Sequence, residues 1–491
     1  MIARPWIPLL MAGLSLAWLA TPTSAEIAPA EAWPNLRLSA SLRTRGEFHN
    51  FFEPDGAANN DYAFGGTVLR GALAWKSDAF DLVIEGQNSA LFGLPDDAVA
   101  PPPQGPLGLG ATYFLNNRQQ NDASVFLKQG FLSLKRLGLD GLSVKGGRFE
   151  FSEGSEVLTG EPTLDWLKNA RLSQRLIGPF GFSHVGRSFD GVTSAWTSGP
   201  LNITTLASHP TQGGFDLAAN KEMSAIDLGY LAFNLTRPSF AQTSDARFFY
   251  IYYSDGRGLL KTDNRPLEVR KADTQHIEIH SEGAHYIQEF PSGAGPFDAL
   301  AWGVIQQGQW GQLDHKAWAW DLEAGWQPSG VPWKPWLRIG YGRTSGDGDP
   351  SDGDHDTFFQ IIPTGRLYSY STYYNLLNNE DGFAQILLRP VAGLVSRTDF
   401  HDIRLTEGND LWYQGSGATE SNRDVGFGYS GRPASGHHNL LQVVETSLNY
   451  DWNSSLGFGV YYGHLFGGSV VRAVFQGDQA DFGFIEVTIR L

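Results

Sequence analysis

From Leu36 to Phe48 the chain alternates without interruption. Leu36, Leu38, Ala40 and Leu42 fall on one face, and Arg37, Ser39, Ser41, Arg43, Arg45 and Glu47 on the other. Successive side chains of a strand point to opposite faces, so this stretch is a strand with one greasy side and one side carrying a row of guanidinium groups. A soluble core does not face a row of arginines; lipid on one side and water on the other accommodates both. The same division recurs along the chain. Leu69, Gly71, Leu73 and Trp75 oppose Arg70, Ala72 and Ala74, and Phe80, Leu82 and Ile84 oppose Asp81, Glu85 and Gln87. Trp318, Trp320, Leu322, Ala324 and Trp326 oppose Ala317, Ala319, Asp321, Glu323 and Gly325. Thr446, Leu448, Tyr450 and Trp452 oppose Glu445, Ser447, Asn449 and Asp451, and Ile485, Val487, Ile489 and Leu491 oppose Glu486, Thr488 and Arg490.

Beyond the first 25 residues no segment approaches the ~20 consecutive apolar residues of a membrane helix. A membrane-spanning chain must satisfy its backbone groups internally, which leaves a closed antiparallel barrel. Connections support this. Short turns at Lys76–Ala79, near Leu137–Gly141 and at Asn453–Ser455 alternate with long ones such as Leu91–Asp122, which contains Pro101-Pro102-Pro103. Outer-membrane barrels show this rhythm, with short periplasmic turns and long extracellular loops. The 58 glycines and 63 aromatic residues (15 Trp, 17 Tyr, 31 Phe) suit a barrel with a polar lumen and aromatic rims, and would suit a soluble propeller nearly as well. The fold expected is therefore all-β, a transmembrane antiparallel β-barrel. Strand phases are hardest to read over 242–264 and 383–406.

The start, a charge at Arg4, an apolar segment from Trp6 to Leu19 and Thr23-Ser24-Ala25, has the layout of a secretory signal peptide, giving residues 1–25 as leader and 26–491 as barrel. With no cysteine there is neither a disulfide framework nor a thiolate metal site. A net charge of −16 argues against nucleic acid as a partner.

The stretch from Pro335 to Tyr368 joins both features, a strand with Leu337, Ile339 and Tyr341 on one face and then a loop with Asp347, Asp349, Asp352, Asp354 and Asp356. Its order of Ser345-Gly346-Asp347, Asp349-Pro350, Asp352-Gly353 and Thr357-Phe358 resembles the alginate export family of outer-membrane porins. Further pieces resemble the family in the same order: Val144-Lys145-Gly146-Gly147-Arg148-Phe149, then Gly186-Arg187-Ser188-Phe189-Asp190-Gly191-Val192, then Asp410-Leu411-Trp412-Tyr413. The resemblance implies an 18-stranded barrel in the bacterial outer membrane, contacting lipid and lipopolysaccharide, with a constricted arginine-rich lumen that conducts an anionic polysaccharide, alginate or a similar polyuronate. Periplasmic proteins of a secretion complex are partners of the kind it implies, and no cofactor.

Alternation alone nominates Arg37, Arg43, Arg45, Arg70, Arg338 and Arg490 as lumen-facing. Arg148 joins them if Gly146-Gly147 is a bulge that switches phase, with Val144 and Phe149 both toward lipid; Asp190 joins through the family motif. Guanidinium forks hold carboxylates by two parallel hydrogen bonds and stay charged, which suits a polyuronate. The bland alternative is that these arginines pair with inward carboxylates such as Glu47, Asp81 and Glu85 and stiffen the wall. At the level of function the alternative is uptake of small anionic solutes or oligosaccharides. The loop aspartates are the candidates for calcium, although no glutamate follows at EF-hand spacing, and a solvated loop or an electrostatic gate accounts for them as well. The best catalytic constellation, Ser435 with His437, His438 and Asp451, lacks a nucleophile elbow, so a non-enzyme is expected. His276, Glu278 and His280 share one strand face and read as polar lining.

Overall fold

Eighteen long strands close into one antiparallel ring in the computed structural model, which describes residues 26–27, 33–237, 243–365, 369–371, 373–420 and 427–491. The expected leader, residues 1–25, lies outside the described residues. In chain order the strands are β1 (Leu36–Asn50), β2 (Asp61–Lys76), β3 (Phe80–Phe92), β4 (Asp122–Lys135), β5 (Leu142–Phe149) and β6 (Phe189–Ser198). Then come β7 (Leu201–Pro210), β8 (Ile226–Thr236), β9 (Ser244–Asp255), β10 (Ile277–Phe290), β11 (Phe297–Trp310) and β12 (Leu313–Trp326). The last six are β13 (Trp336–Thr344), β14 (Glu380–Leu388), β15 (Leu394–Arg404), β16 (Asn439–Asp451), β17 (Leu456–Gly467) and β18 (Gln479–Arg490). Each pairs with its sequence neighbours, and β18 pairs back onto β1 from Ser41↔Arg490 to Asn50↔Asp481, so no edge is left to template aggregation.

The alternation places the faces as expected. Leu69, Leu73, Ile84, Leu322, Ile339 and Ile485 are exposed on the outside of the ring, where hydrocarbon covers them, while Arg43, Arg45, Arg70, Glu323, Arg338 and Glu486 are buried inside. Connections at one end are short, as at 77–79, 136–141 and 452–455; at the other they are long, with one exception. There β11 and β12 are joined through Gly311 and Gln312 alone, Gly311 at φ 64, and the neighbouring acidic loop leans over the gap, pairing Asp354 and His355 in parallel with Asp314 and His315.

The phase switch lies one strand away from where the glycine pair suggested. Strand β5 keeps register with both neighbours through Gly146 and Gly147, so Arg148 shares the outer face of Val144 while Phe149 turns inward and is fully buried. The bulge is in β4 against β3, where the register slips between Glu85 and Gly86; Val125 and Leu127 face out above it, Leu132 and Leu134 below it.

An interior cluster of apolar side chains explains why the phase over 242–264 is hard to read from the sequence. In β9 the inward residues Phe249, Ile251 and Tyr253 are buried against this cluster, while Phe248, Tyr250 and Tyr252 look outward. Both faces are apolar there, because this part of the lumen is packed with protein in place of water.

Candidate functional site: the filled lumen

Residues 150–188, the connection between β5 and β6, form one part of the filling, packed with inward residues of other long connections such as Phe358, Phe359, Tyr373, Trp412 and Tyr429. Glu150 leads in, and Pro162 at the first position opens a one-turn helix, α1 (Pro162–Leu167), where its missing N–H costs nothing. The Asp165 carboxylate fastens the turn before it, accepting from Thr159 N (2.6 Å), Thr159 Oγ1 (2.8 Å) and Gly160 N (3.1 Å). A wider π turn, Lys168–Leu172, continues it. Leu164, Leu167, Ala170, Leu172, Leu176 and Ile177 join the interior cluster, and the polar residues between them reach the wall.

They reach it in two ways. Along β1–β4 the wall supplies the donors and the plug supplies backbone carbonyls. Arg43 donates to Gly181 O (2.7 Å) and Ser183 O, Arg45 to Phe182 O (3.0 Å), Gln87 to Val185 O (2.9 Å) and Lys128 to Arg187 O (2.7 Å). Arg70 and Lys128 hold Glu150 at 3.2 and 3.0 Å. Roughly opposite in the ring, along β9–β13, the plug supplies the cations. Lys168 pairs with Asp245 at 2.9 Å, Arg171 with Glu323 at 2.8 Å, and Arg175 with Asp321. Some contacts run the other way: Glu47 meets His184 at 2.9 Å, and Arg247 meets Glu153 at 2.9 Å and Glu156 at 3.3 Å. His184 fits only because residue 66 is glycine, since a Cβ there would lie 2.5 Å from the imidazole. Where the ring closes, the Arg45 guanidinium lies 4.5 Å from both the Phe182 ring of the plug and the Phe484 ring of β18, while its Nε donates to Glu486 (2.7 Å).

The nominated residues therefore divide. Arg43, Arg45 and Arg70 face inward and are spent on the plug or on Glu85, Glu150 and Glu486. Arg338 is inward too, clasped by Asp298 and Glu323 (2.7 Å) with Trp166 of the plug and Trp336 beside it. Arg37 lies at the short-turn end, donating to Pro34 O (2.7 Å), and Arg490 at the same end meets Asp451 at 3.3 Å. Arg148 and Asp190 are not in the lumen. They form a two-pronged ion pair (2.7 and 2.6 Å) on the outer face, on the side where Leu127 and Val192 are exposed, with Asn220 as a further partner.

Other expectations also shift. Glu278 and His280 face outward near the long-loop end, beside Tyr250, because their neighbours Ile277, Ile279 and Ser281 take the inside; His276 lies exposed in the preceding connection. Ser435, His437 and His438 sit in the loop before β16 and Asp451 at that strand's far end, about 40 Å away at ~3.3 Å per residue. The loop aspartates do not converge as metal ligands. Asp347, Asp349 and Asp352 each accept a backbone N–H two residues on, from Asp349, Ser351 and Asp354, the geometry of Asx turns. Asp347 is buried beside Asp410, which accepts from Asp347 N (3.0 Å), Thr357 Oγ1 (2.6 Å) and Tyr413 OH (2.7 Å). Burial raises both carboxyls, Asp347 to about 7 with Asp410 adding to the rise, and Asp410 to about 6.

Sequence reasoning missed Lys128, Lys168, Arg171, Arg175 and Arg247. The available signal was the run Leu164–Ile177, whose apolar residues keep a spacing of three to four inside a chain otherwise built on a period of two. The space left over is modest. A cavity of about 490 Å³ opens at the long-loop end among Leu109, Phe215, Arg270, Glu420 and Tyr429. A larger one, about 820 Å³, is a groove on the lipid side by Phe248, Ile305 and Trp318 and lies off any conduit.

The alginate export family matches residues 35–482. Among solved structures, OccK9 (OpdG) of Pseudomonas aeruginosa is similar, with a TM-score of 0.55 at 11% identity over 92% of this chain and 98% of that one. OccAB1 of Acinetobacter baumannii gives 0.54 at 9% identity over 92% and 97%, and OccK8 (OprE) of P. aeruginosa 0.52 at 10% over 93% and 98%. No curated protein sequence matches the chain.

Proposed function

The chain belongs to the alginate export family, and from that premise we propose that this outer-membrane channel conducts an anionic polysaccharide, alginate or a similar polyuronate, along the β1–β4 side of its lumen when residues 150–188 withdraw. The observation that carries the reading is the way Arg43, Arg45, Arg70 and Lys128 grip the plug. Guanidinium and ammonium groups that hold backbone carbonyls and one carboxylate will hold sugar carboxylates in their place, by charge-assisted hydrogen bonds that strengthen with the exchange. Several such groups along one side give spaced weak sites, which a polymer can occupy and leave. Focusing of the field by low-dielectric walls makes the local sign of charge matter more than the net −16.

Withdrawal has to be driven. Each buried ion pair broken one-sidedly costs about 3–5 kcal/mol, so the plug does not open spontaneously, and a periplasmic secretion partner or the polymer itself is the natural driver. A second reading follows from the filled lumen. If the plug stays, only small anionic solutes pass, and the protein works as an uptake porin. One experiment separates the two: planar bilayers holding the full chain and a variant with residues 150–187, which carry every plug group that Arg43, Arg45 and Lys128 hold on this side, replaced by a short Gly-Ser linker. The expected result is low conductance for the first and an anion-selective pore for the second, as read from reversal potentials in a potassium chloride gradient, with oligouronate blocking the current more strongly than neutral dextran. Cation selectivity of the open variant, or equal block by dextran, would defeat the polyanion reading.

A further inference from the structure

On the inner wall of β14–β16, beyond the Phe383 ring on which the plug's Arg171 rests, three side chains turn ligand atoms toward one another. Asp399 and His401 of β15 and Glu445 of β16 are buried, and their ligand atoms all lie within 4.8 Å of each other, with His401 Nε2 and Glu445 Oε1 at 3.9 Å. Two of those atoms, Asp399 Oδ1 and His401 Nε2, are buried without a hydrogen-bond partner among the described residues. Such groups cost free energy when left so, and two of them facing one carboxylate mark a place where something is bound. The ring's other nitrogen is fixed: His401 Nδ1 lies 2.9 Å from both oxygens of Asp381. That is the carboxylate–imidazole arrangement that orients a metal-ligating histidine and raises its basicity.

Charge points the same way. Among the described residues, Asp381, Asp399 and Glu445 face one guanidinium, Arg397, whose Nε lies on the far oxygen of Asp399 and whose Nη2 lies 3.9 Å from Glu445 Oε1, so these groups sum to two negative charges when His401 is neutral. The geometry points to a divalent transition-metal site, of the Zn²⁺ class, formed by His401 Nε2, Asp399 Oδ1 and Glu445 Oε1, with water completing the shell. One imidazole with two carboxylates suits such ions better than calcium, which takes oxygen ligands alone. Tetrahedral bonds of about 2.1 Å put ligand atoms about 3.4 Å apart, so the His401–Glu445 pair at 3.9 Å closes by about half an ångström on binding, and any wider pair, all lying within 4.8 Å, by more. Glu445 also accepts from Tyr370 N (3.2 Å), Ser371 N (3.2 Å) and Ser369 Oγ (3.1 Å), which places the ion's third ligand under the inward strap 369–371. The ion thereby ties that strap to the wall.

The test uses the untagged mature protein folded in detergent, stripped with EDTA and titrated with ZnCl2 against a chromophoric chelator. One tight equivalent per folded chain is expected. Asp381→Asn, which leaves all three ligands in place, should weaken it by about 10- to 100-fold, and His401→Gln should abolish the tight phase, while His280→Gln on the outer face changes nothing. Because His401→Gln can fail to fold, zinc-edge X-ray absorption on the wild-type protein supplies a second readout, expected to show one imidazole and otherwise oxygen at about 2.0–2.2 Å. No tight equivalent on folded wild-type protein, two or more imidazoles in the absorption spectrum, or unchanged affinity in both Asp381→Asn and a folded His401→Gln would overturn the site.

Discussion

Around one plug the wall uses two opposite chemistries. Along β1–β4 the wall brings the charge and the plug answers mostly with neutral carbonyls; along β9–β13 the plug brings the charge and the wall answers with Asp245, Asp321 and Glu323. The first kind of contact reads backbone shape and is indifferent to the plug's side chains. The second depends on three particular bases. Losing a partner also costs differently. Removing Arg43 on the first side frees mainly neutral acceptors, Glu486 keeping Arg45, whereas removing the plug's bases on the second strands buried carboxylates.

The largest expected effect therefore comes from Arg171→Ala with Arg175→Ala. Leaving Asp321 and Glu323 buried without their partners should cost about 3–5 kcal/mol, read as a lower urea midpoint and as new protease cleavage within 150–188. On the other side, Arg43→Ala leaves Gly181 and Ser183 carbonyls unanswered and should cost about 1–3 kcal/mol in the same assay. A cost for Arg43→Ala equal to or above that of the Arg171/Arg175 pair would break the comparison. A smaller effect is expected outside the barrel wall, in the acidic loop. Asp347 and Asp410 have carboxyls raised by burial, to about 7 and about 6. Between the unfolded range near 4 and those values, the docked loop keeps protons that a released loop gives up. Docking is thus strongest below about pH 4 and weakens as pH rises to 7; hydrogen exchange over 345–358 should quicken across that window, and Asp347→Asn should flatten the dependence. The smallest effect belongs to the water-exposed connection before β10: Lys271→Ala, which loses an exposed pairing with Glu268 at 2.9 Å, should change the unfolding free energy by less than about 0.5 kcal/mol.

Much of this wall was legible beforehand, for a physical reason. Lipid outside imposes apolar residues on every second position, so β1, β2, β3, β12, β16 and β18 show their outward faces in the sequence. The inward face is legible only where it stays polar. At β9, Phe249, Ile251 and Tyr253 meet the plug's core and copy the outer pattern, which erases the phase. Arg43, Arg45, Arg70 and Arg338 lie on the inward face that alternation nominates, yet nothing in their spacing says that Arg43 ends on a carbonyl more than a hundred residues away. Arg148 misled because alternation was kept by Phe149 turning inward, not by a bulge at Gly146-Gly147, and a glycine pair looks the same in either case. The plug itself was hidden as a connection between two strands.

The closure of the ring carries a consequence for how the barrel is made. The two strands that seal it are the first and the last, whereas the plug lies between the fifth and sixth strands, far from both in sequence. At that seam the Arg45 guanidinium is sandwiched between a ring from the plug, Phe182, and a ring from the last strand, Phe484, with Glu486 of the same strand as its counter-ion. The zipper therefore has its native teeth only if the stopper is seated. Seating of the plug and closure of the ring are thus coupled, since one guanidinium completes both interfaces.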